Sequence, residues 1–130
     1  MSRVELVRAP SLDGSVPYAY AAVAGDLVLT AGACPLDEAG AVVCPGDVAG
    51  QAAQVMANLV TALEAAGCGL VDVAKSTVYV ASADRADLVA AWDVVRAAFG
   101  DHDAPSTLLG VACLGYPGQL VEVEAVALRP

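Results

Sequence analysis

Leu120-Val-Glu-Val-Glu-Ala-Val-Ala-Leu128 is the stretch on which the fold of this chain turns. Successive side chains of a strand point to opposite faces, so Val121, Val123, Ala125 and Ala127 form one continuous apolar face. Glu122 and Glu124 sit together on the other face, framed by Leu120, Val126 and Leu128. Two carboxylates roughly 7 Å apart on a mostly hydrophobic strand need an explanation, because burying an unpaired charge is costly. Either that face is wet, or it lines a pocket where a carboxylate has a task.

Upstream of this strand, the same alternation and its helical counterpart divide the rest of the chain. A first strand is expected near Val4–Arg8, then a loop punctuated by Pro10, Gly14 and Pro17. Tyr18–Ala24 and Leu27–Gly32 flank Gly25-Asp26 and read as a hairpin. After an exposed loop over Pro35–Gly46, Asp47 is placed to cap a helix. Its inward stripe is Val48, Ala52, Val55, Leu59 and Leu63, opposed by Gln51, Gln54, Asn58 and Thr61, and Gly67 ends it. Lys75–Val80 alternates and is β-branched, so it reads as a strand. Asp84 opens a second helix with Leu88, Ala91, Trp92, Val95 and Phe99 inward, stopping at Gly100. Strands near Thr107–Ala112 and Leu120–Leu128 complete a β-β-β-α-β-α-β-β order, an α+β domain spanning residues 1–130. Two helices with one apolar stripe each cover only one face of a five- or six-stranded sheet, so the other face must find a partner.

The bulk composition agrees with one small domain that assembles. The chain has 130 residues, 58% of them hydrophobic but only 5% aromatic. Despite a mean hydropathy of +0.64, no apolar run approaches the ~20 residues of a membrane span. The first residues carry no apolar secretory core, so a cytoplasmic protein is expected, with no membrane partner. A net charge of −9 with six Lys and Arg argues against nucleic-acid binding, which needs clustered cations to neutralise phosphates. Cys34, Cys44, Cys68 and Cys113 are widely spaced, and only His102 is available to join them, so no metal site is expected. They read as free, mostly buried thiols of a reducing compartment. His102, between Asp101 and Asp103, reads as an exposed loop histidine.

Several blocks in order and spacing resemble one known family. They are Val28-Leu-Thr-Ala-Gly-Ala-Cys-Pro35, Gly46-Asp-Val-Ala-Gly-Gln51, Ala65-Ala-Gly67, Val73-Ala-Lys-Ser-Thr-Val-Tyr-Val80 and Val121-Glu-Val-Glu-Ala-Val-Ala127, with Pro17-Tyr18 ahead of them. Together they resemble the RidA (YjgF-type, reactive intermediate deaminase) family over nearly the whole chain. The resemblance implies a chorismate-mutase-like fold and a homotrimer whose sheets form a central barrel, with small-molecule clefts between subunits. It implies hydrolysis of 2-imino acids to 2-oxo acids and ammonia, with no metal or organic cofactor. In that chemistry an arginine grips the substrate carboxylate and a glutamate positions the attacking water.

Carried over by position, Glu122 matches the catalytic glutamate and Tyr18 the cleft tyrosine. Gly32 matches the cleft glycine, with Ala31 where a serine is usual. Trp92 stands at the second-helix asparagine and Tyr116 in a turn near the cleft mouth. The arginine falls at Ser106 or Thr107, and no Lys or Arg occurs between Arg96 and Arg129. The resemblance therefore implies a diverged member. A cation from Arg3, Arg8 or Lys75 of a neighbouring subunit is the way the clamp would be restored. Ser106 and Thr107 would otherwise donate hydrogen bonds to a neutral carbonyl or serve as ordinary strand residues. Glu122 would otherwise be a strand-edge carboxylate in water or paired across the trimer axis, and Glu124 an interface residue. Three functions follow: a diverged enzyme acting on a small reactive metabolic or biosynthetic intermediate, with Glu122 as base or water-positioner; a 2-iminobutanoate/2-iminopropanoate deaminase; or a non-catalytic ligand-binding trimer.

Overall fold

Asp47 and Asp84 start the two helices in the way their side chains allow. Each carboxylate accepts a first-turn amide, Asp47 from Gly50 and Asp84 from Ala86, which satisfies a donor that the helix cannot. In the computed structural model, which describes residues 3–130, α1 runs Val48–Ala65 and α2 Arg85–Phe99. Gly67, at φ +85°, takes the left-handed conformation just past α1 that a Cβ would disfavour.

The strands are β1 (Val4–Val7), β2 (Ala21–Ala24), β3 (Leu27–Thr30), β4 (Val73–Val80), β5 (Ser106–Gly110) and β6 (Val121–Leu128). They form one mixed sheet in the order β1-β2-β3-β6-β4-β5. Only β4 and β5, joined through α2, are parallel; the other neighbours are antiparallel. The expected element order holds. The boundaries shift: β2 begins at Ala21 rather than Tyr18, β3 ends at Thr30, β4 begins at Val73 rather than Lys75, β5 spans Ser106–Gly110, and β1 and β6 are each one residue shorter than expected.

β6 lies at the centre of the sheet, and its alternation sets the layers. Val121, Val123, Ala125 and Ala127 are 0–3% exposed and pack with Leu59, Leu63 and Val55 of α1 and Val95 of α2. Each fully buried aliphatic side chain contributes about 1.5–3 kcal/mol of transfer free energy. Both helices therefore cover one face. Register places Leu27 and Leu29 of β3 beside Leu128 and Val126, and Thr77 and Tyr79 of β4 beside Glu124 and Glu122, on the other. That face is open in a single chain, with Leu6, Leu27, Leu29 and Leu128 exposed.

Three expectations are corrected. Gln51 is not on a wet stripe: it is fully buried. Its Nε2 donates to Cys44 O and Gly118 O, and its Oε1 accepts Leu120 N–H. It thus fastens two loops to α1, and the period alone could not distinguish that from a solvated glutamine. His102 is half-buried against Phe99, with Nε2 on the Val73 carbonyl at 2.8 Å rather than on its acidic neighbours. Of the four free thiols only Cys34 and Cys68 are buried, while Cys44 and Cys113 are exposed.

Candidate active site

Glu122 projects from β6 on the open side of the sheet, near the place where the chain leaves β3. There Ala33 bridges to Val123, so residues 31–34 run close against the carboxylate. A Cβ on Gly32 would collide with Oε2, Cδ and Cγ of Glu122. Glycine at 32 is thus a packing requirement of the Glu122 side chain.

The two oxygens of Glu122 have different surroundings. Oε1 accepts the Cys34 thiol at 3.2 Å and the Gln119 amide at 3.1 Å. Oε2 has no hydrogen-bond donor among the described residues. Because no buried side-chain polar atom in this set lacks a partner, Oε2 must reach solvent through the cleft. Burial, followed by the Glu122 charge, pushes the Cys34 thiol up to about 12. Cys34 is therefore a neutral hydrogen-bond donor and a poor nucleophile near neutral pH.

An open cleft of about 520 Å³ lies over this carboxylate, lined by Pro17, Tyr18, Ala31, Gly32, Cys34, Gly115, Tyr116 and Glu122. None of these is Lys, Arg or His. The Tyr18 and Tyr116 hydroxyls meet at 3.2 Å across its mouth. A pair of hydroxyls joined by one hydrogen bond keeps one O–H to offer elsewhere. Burial, followed by the hydrogen bond with Tyr116, raises the Tyr18 phenol, so Tyr18 stays protonated. Tyr20, edge-on to Tyr18 at 6.0 Å between ring centroids, bonds to the Asp13 carbonyl and holds the Pro-Tyr segment down.

The structure thus gathers Glu122, Tyr18, Gly32, Ala31 and Tyr116 around one cleft. It does not bring Trp92, Ser106 and Thr107 to the same cleft within a chain. Trp92 packs on α2 beside Ser76, Arg96, Phe99 and His102. Ser106 Oγ shares a hydrogen bond with Ser76 Oγ at 2.7 Å. Thr107 is exposed on the open face, where its Oγ1 accepts Lys75 Nζ at 2.6 Å. On that same face Tyr79 donates to Glu124 Oε1 at 2.6 Å, which raises its phenol to about 12. Glu124 is thereby paired away from the cleft.

Sequence reasoning missed Cys34 and Gln119. Cys34 has a partner 88 residues away, and such a contact leaves no local signature. Gln119 follows a Gly-Tyr-Pro-Gly turn, and nothing in that local pattern marks a buried amide. No group of three or more potential metal ligands occurs among the described residues, and none of their helices is long and apolar enough to cross a membrane.

The comparisons with known proteins agree with this architecture. The family model described as endoribonuclease L-PSP matches residues 9–129. A RutC family protein of Pyrococcus horikoshii is 34% identical, with 87% of each chain covered. The 2-iminobutanoate/2-iminopropanoate deaminase of Escherichia coli is 33% identical over 87% of this chain and 88% of its own. Among solved structures, the Escherichia coli YjgF gene product superposes with a TM-score of 0.83 at 30% identity, covering 97% of this chain and 99% of that one. Escherichia coli TdcF with bound serine gives 0.81 at 27% identity, with 97% and 99% covered. From residue 9 onward this chain is a member of the endoribonuclease L-PSP family, the RidA/YjgF family that its sequence blocks resemble.

Proposed function

We propose that this protein acts on a small reactive metabolic or biosynthetic intermediate in a cleft completed by a neighbouring copy, and that imine hydrolysis has been lost with the arginine. Copies assemble as a homotrimer through the open, partly apolar sheet face. Glu122 is the base or water-positioner, and its reaction is a hydration, dehydration, tautomerisation or cyclisation. The observation that carries this reading is the asymmetry of Glu122. One oxygen is held by two neutral donors, and the other is turned into a cleft whose lining contains no cation. Such a site takes a proton from, or aligns a water against, a neutral substrate, with the Tyr18–Tyr116 pair donating to a carbonyl. Family membership supports a small-molecule role, as does the serine bound to the related TdcF. The charge of −9 disfavours RNA, despite the wording of the family description.

One contact favours the second reading, an imine deaminase. Lys75 Nζ rests on Thr107, one of the two positions where the resemblance puts the arginine. Lys75 pairs with Val126 while Tyr79 pairs with Glu122, so four strand positions, roughly 13 Å, separate lysine and carboxylate in one chain. Lys75 would therefore serve the cleft of a neighbouring copy.

The deciding experiment supplies 2-iminobutanoate continuously from a threonine dehydratase and follows imine loss. A rate equal to buffer supports the diverged reading; acceleration that disappears in Glu122→Gln supports the deaminase. A ligand that raises the melting temperature and is never turned over is the signature of a non-catalytic ligand-binding trimer.

A further inference from the structure

One buried polar side chain at the cleft has no assigned task. Gln119 is 3% exposed, and both ends of its amide are engaged. Oε1 accepts Tyr116 N–H at 3.2 Å, while Nε2 donates to Val121 O and to Glu122 Oε1, each at 3.1 Å. A primary amide has two N–H donors, and these two contacts use both. The Val121 backbone is fixed by its pairing with Val80, so the amide cannot swing without losing a backbone contact. The sheet therefore dictates where the second N–H points. Cys34, tethered beside the Ala33–Val123 bridge, brings its thiol to the same oxygen. Two neutral donors from separate segments thus converge on Oε1 and leave Oε2 to the cleft.

We propose that Gln119 is a positioning residue for Glu122: its amide locks the carboxylate with Oε2 facing the cleft and ties that orientation to the Tyr116 turn at the cleft mouth. This rests on the reading of Glu122 as the working carboxylate. The coupling follows from the amide's two ends. A ligand that moves Tyr116 pulls on Gln119 Oε1, and the same planar group carries the N–H that holds Glu122.

The Cys34 S–H stretch reports the position of the Glu122 carboxylate without any substrate. Its infrared band, assigned by its loss in Cys34→Ser, sits at low wavenumber while the thiol donates to a carboxylate, a stronger acceptor than an amide. In Glu122→Gln it moves up. Gln119→Leu and Gln119→Met keep most of the side-chain volume and remove the donors. The expected result is a broadened Cys34 band displaced toward its position in Glu122→Gln. An unchanged band overturns the proposal, as does one displaced downward because the thiol alone holds the carboxylate. Should neither variant fold, Gln119 Nε2 in the native chain is compared by NMR with Glu122→Gln. A shift confined to one of its two amide protons supports the proposal, and unmoved protons overturn it. Where a substrate is turned over, Gln119→Leu lowers kcat about tenfold and moves KM by less than about twofold. A displaced band together with imine loss at the buffer rate keeps Gln119 in its role and removes the deaminase reading, so the two failures are distinguishable.

Discussion

The Cys34 thiol donates to Glu122 Oε1 across 3.2 Å, joining the segment after β3 to the start of β6. Burial is the larger cause of the raised Cys34 pKa, and the Glu122 charge is the next. Glu122→Gln therefore lowers it part of the way from about 12 toward the ordinary thiol value. Alkylation of Cys34 at pH 9, followed by peptide mass spectrometry to separate it from the exposed Cys44 and Cys113, should be faster in Glu122→Gln. An equal rate would mean that the carboxylate does not govern the thiol.

The same shift has a sign for stability. Folded Cys34 and Tyr79 both bind their protons more tightly than the unfolded chain does. Their contribution is fully present below the ordinary thiol and phenol values and is lost as pH rises from about 9 toward 12. Urea midpoints should fall across that window, and less steeply in Tyr79→Phe, which has no proton to lose. A flat midpoint between pH 9 and 11 would contradict this.

Gly32→Ala tests how tightly the cleft is built. The new methyl collides with three atoms of Glu122, so the carboxylate must abandon Cys34 and Gln119. Loss of these bonds should cost about 1–3 kcal/mol in urea unfolding. The larger effect should be on turnover of any substrate that depends on Glu122, approaching the loss in Glu122→Gln. Activity near the native level would show that the Glu122 orientation seen here is not the working one.

Gln51 is a separate buried amide with a structural task. Gln51→Leu leaves Leu120 N–H and Gly118 O without their partner, while Cys44 O keeps the Asp47 N–H. The expected loss is about 2–4 kcal/mol at unchanged denaturant slope. A loss under about 0.5 kcal/mol would place water, not Gln51, as the effective partner of these groups.

How far the sequence could be read follows from the range of each signal. The alternation of β6 and the stripes of α1 and α2 are local, and they gave the layers because a side chain's face depends only on its neighbours along the chain. The motif position of Glu122 likewise led to the cleft, and Tyr18, Gly32 and Tyr116 meet it there. The site's inner fastening was not legible, because Cys34–Glu122 and Gln51–Leu120 join residues 88 and 69 positions apart. Gln51 misled for a related reason: burial of an amide depends on partners in two loops, and helical period is blind to them. Trp92, Ser106 and Thr107 were grouped with the cleft by family position, and in one chain they lie elsewhere. Only a neighbouring copy could reunite them with Glu122.

The open sheet face gives the test of assembly. Leu27, Leu29 and Leu128 are 44–53% exposed side by side, an apolar row that water disfavours. Light scattering should give the mass of three chains. Leu29→Glu, which places a charge in the middle of that row, should give the mass of one chain at micromolar concentration. A trimer that survives Leu29→Glu would assign the contact to another surface.

If the cleft of this protein has lost imine hydrolysis because the arginine is absent at Ser106 or Thr107, then Thr107→Arg, at the one of the two that lies on the open face, should return it. A bidentate guanidinium–carboxylate contact contributes about 3 kcal/mol, or roughly 10² in rate. Imine loss should then rise by about that factor over the native chain, and Glu122→Gln added to Thr107→Arg should abolish it. Lys75 supplies the control. It sits 2.6 Å from the Thr107 hydroxyl, so in a native chain that already hydrolyses imines, Lys75→Met alone should remove the activity. That outcome would make Lys75 the carboxylate clamp and would replace the diverged reading with the deaminase.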